Sequence, residues 1–233
     1  MLQFVPVKGK KEDYPVIADV IYLDDSTGDS MTSKYKYAVE HYVTEDTWYC
    51  FRHDDLTIET PMADVEWFLN NRVDNDVAVC GVMGTLNIEQ SLHWWMPFRE
   101  VNGVGYIKQA VLDPATRKPV EPFRTYEMND WPGYHKGLAS VDGCVMFIHK
   151  KLFDAGAQWD ERLPSYHFYD VDISLQALEH GYSVATLPIV CTHISRGDMP
   201  PPEIMNPLRQ NMFNKWNNKT HGVWPINRYS KFY

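Results

Sequence analysis

The feature that most constrains the fold is an alternation of apolar, strand-like runs with amphipathic helical segments. Residues 16–23 and 48–52 are rich in β-branched and aromatic side chains. A helical pattern follows each run, over residues 30–42 in the first case and from Thr60 in the second, with Pro61 at the first helical position. Strands that alternate with helices predict an α/β, Rossmann-like fold whose mostly parallel sheet is flanked by helices.

The alternation stops at residue 84 and returns after residue 137. The interval is rich in Pro, Gly and aromatic residues and holds two short β-like runs, at 105–112 and 119–126. A strand at 145–148, a helix at 171–180 and a strand at 182–190 that ends in residues 191–195 follow. We predict one domain over 1–233, with an aromatic-rich insertion at 84–137 and a C-terminal helix and tail at 202–233.

Composition argues against several classes of protein. With 233 residues, 44% of them hydrophobic, the chain can bury a full-sized core. A net charge of −9 argues against a surface that binds nucleic-acid phosphates. No run approaches the roughly 20 apolar residues that cross a bilayer, and residues 1–9 lack the apolar stretch of a signal peptide. The four cysteines have no CxxC spacing and indicate reduced core residues. We therefore expect a cytoplasmic protein without a membrane span.

Polar clusters lie where predicted strands end or where a helix begins. There are four of them: Asp24-Asp25, His53-Asp54-Asp55, residues 166–172, and Thr192-His193. Because parallel strands point the same way, groups at their carboxyl ends converge in one crevice. Carboxylate oxygens suit Mg²⁺ or Mn²⁺, and Mn²⁺ also tolerates a histidine. The pattern predicts a cation site for a phosphate ester, with Asp55 and His193 as ligands and Asp54 tuning them.

Each cluster also has a plainer interpretation. The residues after position 52 can be a polar turn, because Asp bonds readily to turn backbone. A lone histidine such as His193 is more often a core residue than a ligand. Asp170 precedes a helix, whose dipole favours an ionised carboxylate, so it is either a general base or a structural cap. For Asp172 we favour the structural role.

The second half of the chain carries a resemblance. Its motifs share an order and a spacing: Val141-Asp142-Gly143, Trp159-Asp160-Glu161, the run from Tyr166 to Ala177, Gly181-Tyr182 and His193-Ile194-Ser195. In this order they resemble a family-two-like glycosyltransferase of the GT-A fold, most nearly the StrF type of streptomycin biosynthesis. The His53-Asp54-Asp55 cluster stands where this group has an HxD or DxD element, and the resemblance runs from residue 16 to residue 216.

The resemblance implies transfer of a sugar from a nucleotide-diphosphate sugar to an acceptor hydroxyl, with Mn²⁺ or Mg²⁺ as cofactor. Carried over by position, the site residues are Asp24, Asp25, Asp54, Asp142 and Gly143 for the nucleotide sugar, Asp55, His193 and His53 for the metal, and Asp170 as general base. Two positions depart from the family pattern. Tyr169 replaces the Glu that precedes the base, and His53 replaces the first acid of the metal motif.

Two expectations concern the regions around these motifs. Compared with that group, the first helix is nearly absent. Its loss would expose apolar sheet surface, which C-terminal aromatics or a second subunit could cover, so homo-oligomerisation is one expectation. The insertion carries the candidate acceptor-binding residues Trp94, Trp95 and Trp131. Aromatic faces stack on sugar rings or bases, and the alternative is a small satellite core.

We expect an inverting single displacement in which Asp170 deprotonates the acceptor hydroxyl. The acceptor could be a glycan, a metabolite, a protein or a modified nucleobase. Two other classes of protein could use the same residues. A metal-dependent hydrolase would activate water and release product without an acceptor. A non-catalytic nucleotide-sugar or carbohydrate-binding protein would bind nucleotide with metal and show no turnover.

Overall fold

A computed structural model describes residues 1–88, 103–111, 113, 116, 124–128, 133–164, 167–195 and 201–216. The strands are β1 (Gln3–Pro6), β2 (Val20–Leu23), β3 (Trp48–Arg52), β4 (Leu56–Ile58), β5 (Val77–Gly81), β6 (Met83–Thr85), β7 (Gly103–Val111), β8 (Arg124–Met128), β9 (Ser140–Val141), β10 (Val145–His149), β11 (Ser183–Thr186) and β12 (Cys191–Ser195). The α-helices are α1 (Met31–Tyr42), α2 (Met62–Asn71), α3 (Lys150–Asp154), α4 (Tyr169–Glu179) and α5 (Pro202–Trp216). The predicted α/β fold is confirmed.

The first sheet has the strand order β11-β5-β10-β3-β1-β2. Strand β1 is parallel to β2 and β3, and β11 is parallel to β5. Strand β10 lies between β3 and β5 and is antiparallel to both, so one reversed strand interrupts the predicted parallel sheet. Because β10 is reversed, the residues that precede it lie at the carboxyl end of β3. Asp142 and Gly143 are thereby brought beside His53.

The second sheet has the order β4-β12-β7-β6-β9, and β8 pairs with β7. Only the β12–β7 pairing is parallel among the described strands of this sheet. Strands β7 and β8 come from the interval predicted as an irregular insertion. Strand β12 pairs with β4, and the Ile194 N–H donates to the Asp55 carbonyl at 2.9 Å. This pairing holds His193 against the polar cluster that follows β3.

Several predicted element boundaries are wrong. Helix α4 begins at residue 169 rather than 171, so Asp170 lies inside the helix instead of before it, and the β-like run predicted at 119–126 is a strand at 124–128. Three other boundaries have a cause that can be named. The strand predicted at 16–23 begins only at residue 20, directly after Asp19 with its positive φ of 62°. The strand predicted at 182–190 ends at residue 186, and Pro188, which has no N–H to donate, stands before the separate strand β12. The Thr60 hydroxyl accepts the Val190 N–H at 2.9 Å instead of capping a helix, and α2 begins at residue 62.

Helix α4, which carries Tyr169 and Asp170, is buried along nearly its whole length. One of its faces joins a core cluster with Tyr35 and Trp159, and the other packs against helix α5 through Val171 and Leu175. Within residues 1–88, which are all described, a single 3₁₀ turn at Lys11–Asp13 is the one helical element between β1 and β2. None of the described helices has the length and apolar character needed to span a bilayer.

Asp172 anchors helix α5 to helix α4. Its carboxylate accepts hydrogen bonds from Lys215 Nζ and Trp216 Nε1, each at 2.8 Å, and a further one from Gln176 at 2.8 Å. The side chain is nearly fully buried, so the ion pair with Lys215 offsets the cost of burying its charge. The role of Asp172 is thus structural, as expected, but it joins two helices rather than capping the start of one.

Candidate functional site

His53, Asp55 and His193 lie together at the carboxyl end of β3. Asp55 Oδ1 is 3.2 Å from His193 Nε2 and 3.9 Å from His53 Nδ1. One ligand atom from each residue lies within 4.8 Å of the others. Two imidazoles and one carboxylate suit a transition-metal dication better than Mg²⁺, which prefers oxygen ligands. The predicted convergence of Asp55 and His193 is present, and their donor atoms fit a divalent cation.

Burial and charge set the protonation states of the three side chains. The pKa of His53 is lowered to about 4, mainly because burial disfavours the imidazolium and also because His193 is close. Burial acts to lower the pKa of His193, but the hydrogen bond to Asp55 and the charge of Asp55 outweigh it, so the pKa is raised. Burial acts to raise the pKa of Asp55, and the contacts with both histidines lower it overall. At neutral pH the imidazole of His53 is therefore uncharged and can offer a lone pair to a metal ion.

Asp170 forms a second polar centre next to this cluster. Its carboxylate accepts the Gly143 N–H at 3.0 Å and the Val171 N–H at 2.9 Å. Burial, and then the charge of Asp142, raise the pKa of Asp170 to about 7. A carboxyl group that titrates near neutrality suits general-base chemistry.

Gly143 links the two polar centres. Its N–H donates to Asp170, and its carbonyl accepts the Tyr169 hydroxyl at 2.8 Å. The same hydroxyl is 2.7 Å from His53 Nε2. A Cβ at position 143 would lie 2.4 Å from the Tyr169 hydroxyl oxygen and 2.9 Å from the Asp170 Cβ, so only glycine fits here without rearrangement.

Asp24 and Asp25 lie on the neighbouring loop after β2, where the protein itself engages both carboxylates. Asp24 accepts hydrogen bonds from the Lys11 N–H and from Ser26, and Asp25 accepts one from Lys34 Nζ at 2.8 Å. The hydrogen bond from Ser26 is the main reason that the pKa of Asp24 is lowered, and the bond from Lys34 does the same for Asp25. Both residues shape the loop, and their contact with a nucleotide stays a prediction.

The remaining candidates differ in what the structure says of them. Asp54 is exposed and stands outside the trio of cation-binding atoms, and its pKa is raised by partial burial and by the charge of Asp55. Asp142 Oδ1 accepts the Cys144 N–H at 2.8 Å, which places its carboxylate at the turn before β10. Trp94, Trp95 and Trp131 lie outside the described residues.

Tyr169 is the site residue that sequence reasoning missed. In the sequence it differs from the Glu that the resemblance places before the base, and nothing local pairs it with His53. The one available signal was its place directly before Asp170 at a helix start.

No family model matches the chain, and no curated protein matches it. Among solved structures, GalNAc-T7 with UDP, GalNAc and Mn²⁺ superimposes with a TM-score of 0.52 at 10% identity, over 86% of this chain and 38% of that one. A197 from STIV gives a TM-score of 0.42 at 11% identity, over 83% of this chain and 85% of that one. The chain thus has a GT-A-like, Rossmann-like α/β fold and spans less than two fifths of GalNAc-T7. The narrower StrF-type resemblance receives no support.

Proposed function

We propose that the protein is a metal-dependent glycosyltransferase that moves a sugar from a nucleotide-diphosphate donor to an acceptor hydroxyl. The observation that carries the proposal is the adjacency of two centres with different chemistry. Three side chains that could bind a cation lie beside Asp170, a buried carboxyl with a pKa of about 7. They are His53, Asp55 and His193. The GT-A-like fold supports the proposal, since GalNAc-T7 shares it and was crystallised with UDP and Mn²⁺.

His53, Asp55 and His193 would bind the cation, and the cation would hold the diphosphate of the nucleotide sugar. Their mixed nitrogen and oxygen set favours Mn²⁺ over Mg²⁺. The bound ion would neutralise charge on the departing diphosphate. Asp54 and the loop of Asp24 and Asp25 would contact the nucleotide, while Asp142 and Gly143 would lie at the donor sugar.

Asp170 would take the proton from the acceptor hydroxyl. Two backbone N–H groups orient its carboxylate, and its pKa lets it be ionised at working pH yet basic enough to accept a proton. Attack from the face opposite the diphosphate would invert the anomeric configuration. The aromatic residues Trp94, Trp95 and Trp131 of the insertion are proposed to bind the acceptor. A cytoplasmic location and homo-oligomerisation also stay predictions.

The test begins by finding the donor. Thermal-shift measurements against nucleoside diphosphates and their sugars, with and without Mn²⁺, should show stabilisation by one diphosphate that increases with metal. Transfer is then measured with that donor and a panel of hydroxyl acceptors. The Asp170→Asn variant should keep the donor-induced shift and lose about 10²–10⁴-fold in transfer rate. Asp154→Asn, which alters an exposed carboxylate in α3, is the matched control and should retain the rate.

The other outcomes would change either the role of Asp170 or the function. Full transfer by Asp170→Asn would remove Asp170 as the base. If nucleotide is released equally fast with each acceptor and with none, the protein is a metal-dependent hydrolase. Mn²⁺-dependent nucleotide binding without turnover on any acceptor would indicate the non-catalytic binding protein.

A further inference from the structure

Tyr169 and His53, the two residues that depart from the pattern of the resemblance, are in contact with each other. The Tyr169 side chain is almost fully buried, and its hydroxyl oxygen is 2.8 Å from the Gly143 carbonyl oxygen and 2.7 Å from His53 Nε2. A hydroxyl has one hydrogen, and a carbonyl oxygen can only accept. The Tyr169 hydroxyl therefore donates to Gly143, and the bond to His53 is donated by the imidazole N–H.

This assignment fixes the tautomer of His53. A neutral imidazole carries one hydrogen, so a hydrogen on Nε2 leaves Nδ1 with its lone pair. Nδ1 is the nitrogen on the side of Asp55, at 3.9 Å from its carboxylate. A metal-binding histidine is usually oriented by a hydrogen bond from its other ring nitrogen, and that bond sets both the tautomer and the ring direction.

We propose that Tyr169 is a positioning residue that holds His53 in the Nε2–H tautomer and thereby presents Nδ1 to the cation. The inference rests on the cation site of the proposed function. His53 and Tyr169 are then one hydrogen-bonded pair rather than two separate departures. An uncharged phenol performs the orienting task without adding a further carboxylate beside Asp170 and Asp142.

The surroundings of Tyr169 leave it little freedom. Its ring lies against Tyr35 and Trp159, with centroids 6.1 and 6.2 Å away, and it is the first residue of the buried helix α4. The next residue, Asp170, accepts the N–H of the same Gly143 whose carbonyl binds Tyr169. Gly143 therefore couples the orientation of the metal ligand to the orientation of the base.

The first test is ¹⁵N NMR on the metal-free wild-type protein. The signals of the His53 ring nitrogens are assigned by their disappearance in His53→Gln. They should show a protonated Nε2 and an unprotonated Nδ1 at neutral pH. A protonated Nδ1 in the wild-type protein would overturn the proposal. This arm requires no variant of Tyr169 to fold.

The second test is Mn²⁺ binding by the Tyr169→Phe variant, which keeps the ring and loses both hydrogen bonds. We expect Mn²⁺ affinity to fall about 10–100-fold and the His53 tautomers to mix. Tyr49→Phe is the matched control, because the Tyr49 hydroxyl also accepts an N–H, at 2.9 Å, and donates to a carbonyl, at 3.1 Å, near the other end of β3. The control should bind Mn²⁺ as the wild type does.

The outcomes separate this proposal from the transferase proposal. A folded Tyr169→Phe variant with wild-type tautomer and wild-type Mn²⁺ affinity would refute the positioning role, whether or not the protein transfers sugar. A second outcome is that the wild-type protein has the Nε2–H tautomer and the Tyr169→Phe variant binds Mn²⁺ more weakly, yet the wild type transfers no sugar. This outcome would refute only the transferase proposal.

Discussion

Asp170 should make the folded protein less stable as the pH rises toward neutrality. Burial and the charge of Asp142 raise its pKa from 3.8 to about 7. Between these two values the folded state binds more protons than the unfolded chain, so the free energy of unfolding falls as the pH rises across this window. A pKa difference of about 3, at about 1.36 kcal/mol per unit, corresponds to about 4 kcal/mol. That destabilisation is absent below pH 4 and fully developed above pH 7.

Asp170→Asn removes this titration and keeps the shape of the side chain. The amide oxygen can still accept one of the two N–H groups, while the amide nitrogen faces the other, which costs about 1–3 kcal/mol at every pH. At low pH the variant should therefore be no more stable than the wild type. At pH 8 it should be the more stable of the two by about 1–3 kcal/mol, because the wild type has lost about 4 kcal/mol.

Urea unfolding in EDTA at several pH values between 4 and 8 measures the effect. The quantity to plot is the difference in unfolding free energy between variant and wild type, in which the titration of groups that do not interact with Asp170 cancels. This difference should change by about 4 kcal/mol across the range, while Asp154→Asn should give a flat line. A flat line for Asp170→Asn as well would show that Asp170 has an ordinary pKa, and its case as a general base would be lost.

Three further results are expected. Gly143→Ala should lower the free energy of unfolding by about 1–3 kcal/mol in urea titrations, because the added Cβ meets the hydroxyl of the neighbouring tyrosine. Lys215→Met should cost about 3–5 kcal/mol in the same assay, since it leaves Asp172 buried without its cation, whereas Lys36→Met breaks an exposed pair and should cost less than about 1 kcal/mol. The transfer rate should rise with pH and level off above about 7 as Asp170 ionises, and a rate independent of pH from 5 to 8 would contradict this.

Elements with strong local signals could be predicted from the sequence. Helix α1 begins after Ser30, whose side chain caps it as part of a capping box, and helix α5 begins at residue 202, where the C-terminal helix and tail were predicted to start. The end of the strand predicted at 182–190 was placed too late, because the residues after 186 are as apolar as the strand itself and only Pro188 marks the break. The reversal of β10 was also invisible, since strand direction is set by the topology of the connection rather than by local propensity.

The candidate site shows the same limit. The meeting of Asp55 and His193 could be predicted because both follow strand-like runs, and strand ends gather at one edge of a sheet. The pairing of His53 with Tyr169 spans 116 positions, and the Tyr169 hydroxyl is held there by Gly143, which lies shortly before the reversed strand β10. No periodicity or spacing in the sequence predicts a contact of this kind. The sequence showed only that two residues departed from a pattern, not that they touch.

The position of the bound ion tests the cation site most directly. Crystals grown with Mn²⁺ and UDP, measured at the manganese absorption edge, would locate the metal from its anomalous signal. We predict one strong peak at bonding distance from Asp55 Oδ1, His193 Nε2 and His53 Nδ1. A peak elsewhere, with these three side chains left without metal, would contradict the cation site and the transfer chemistry built on it.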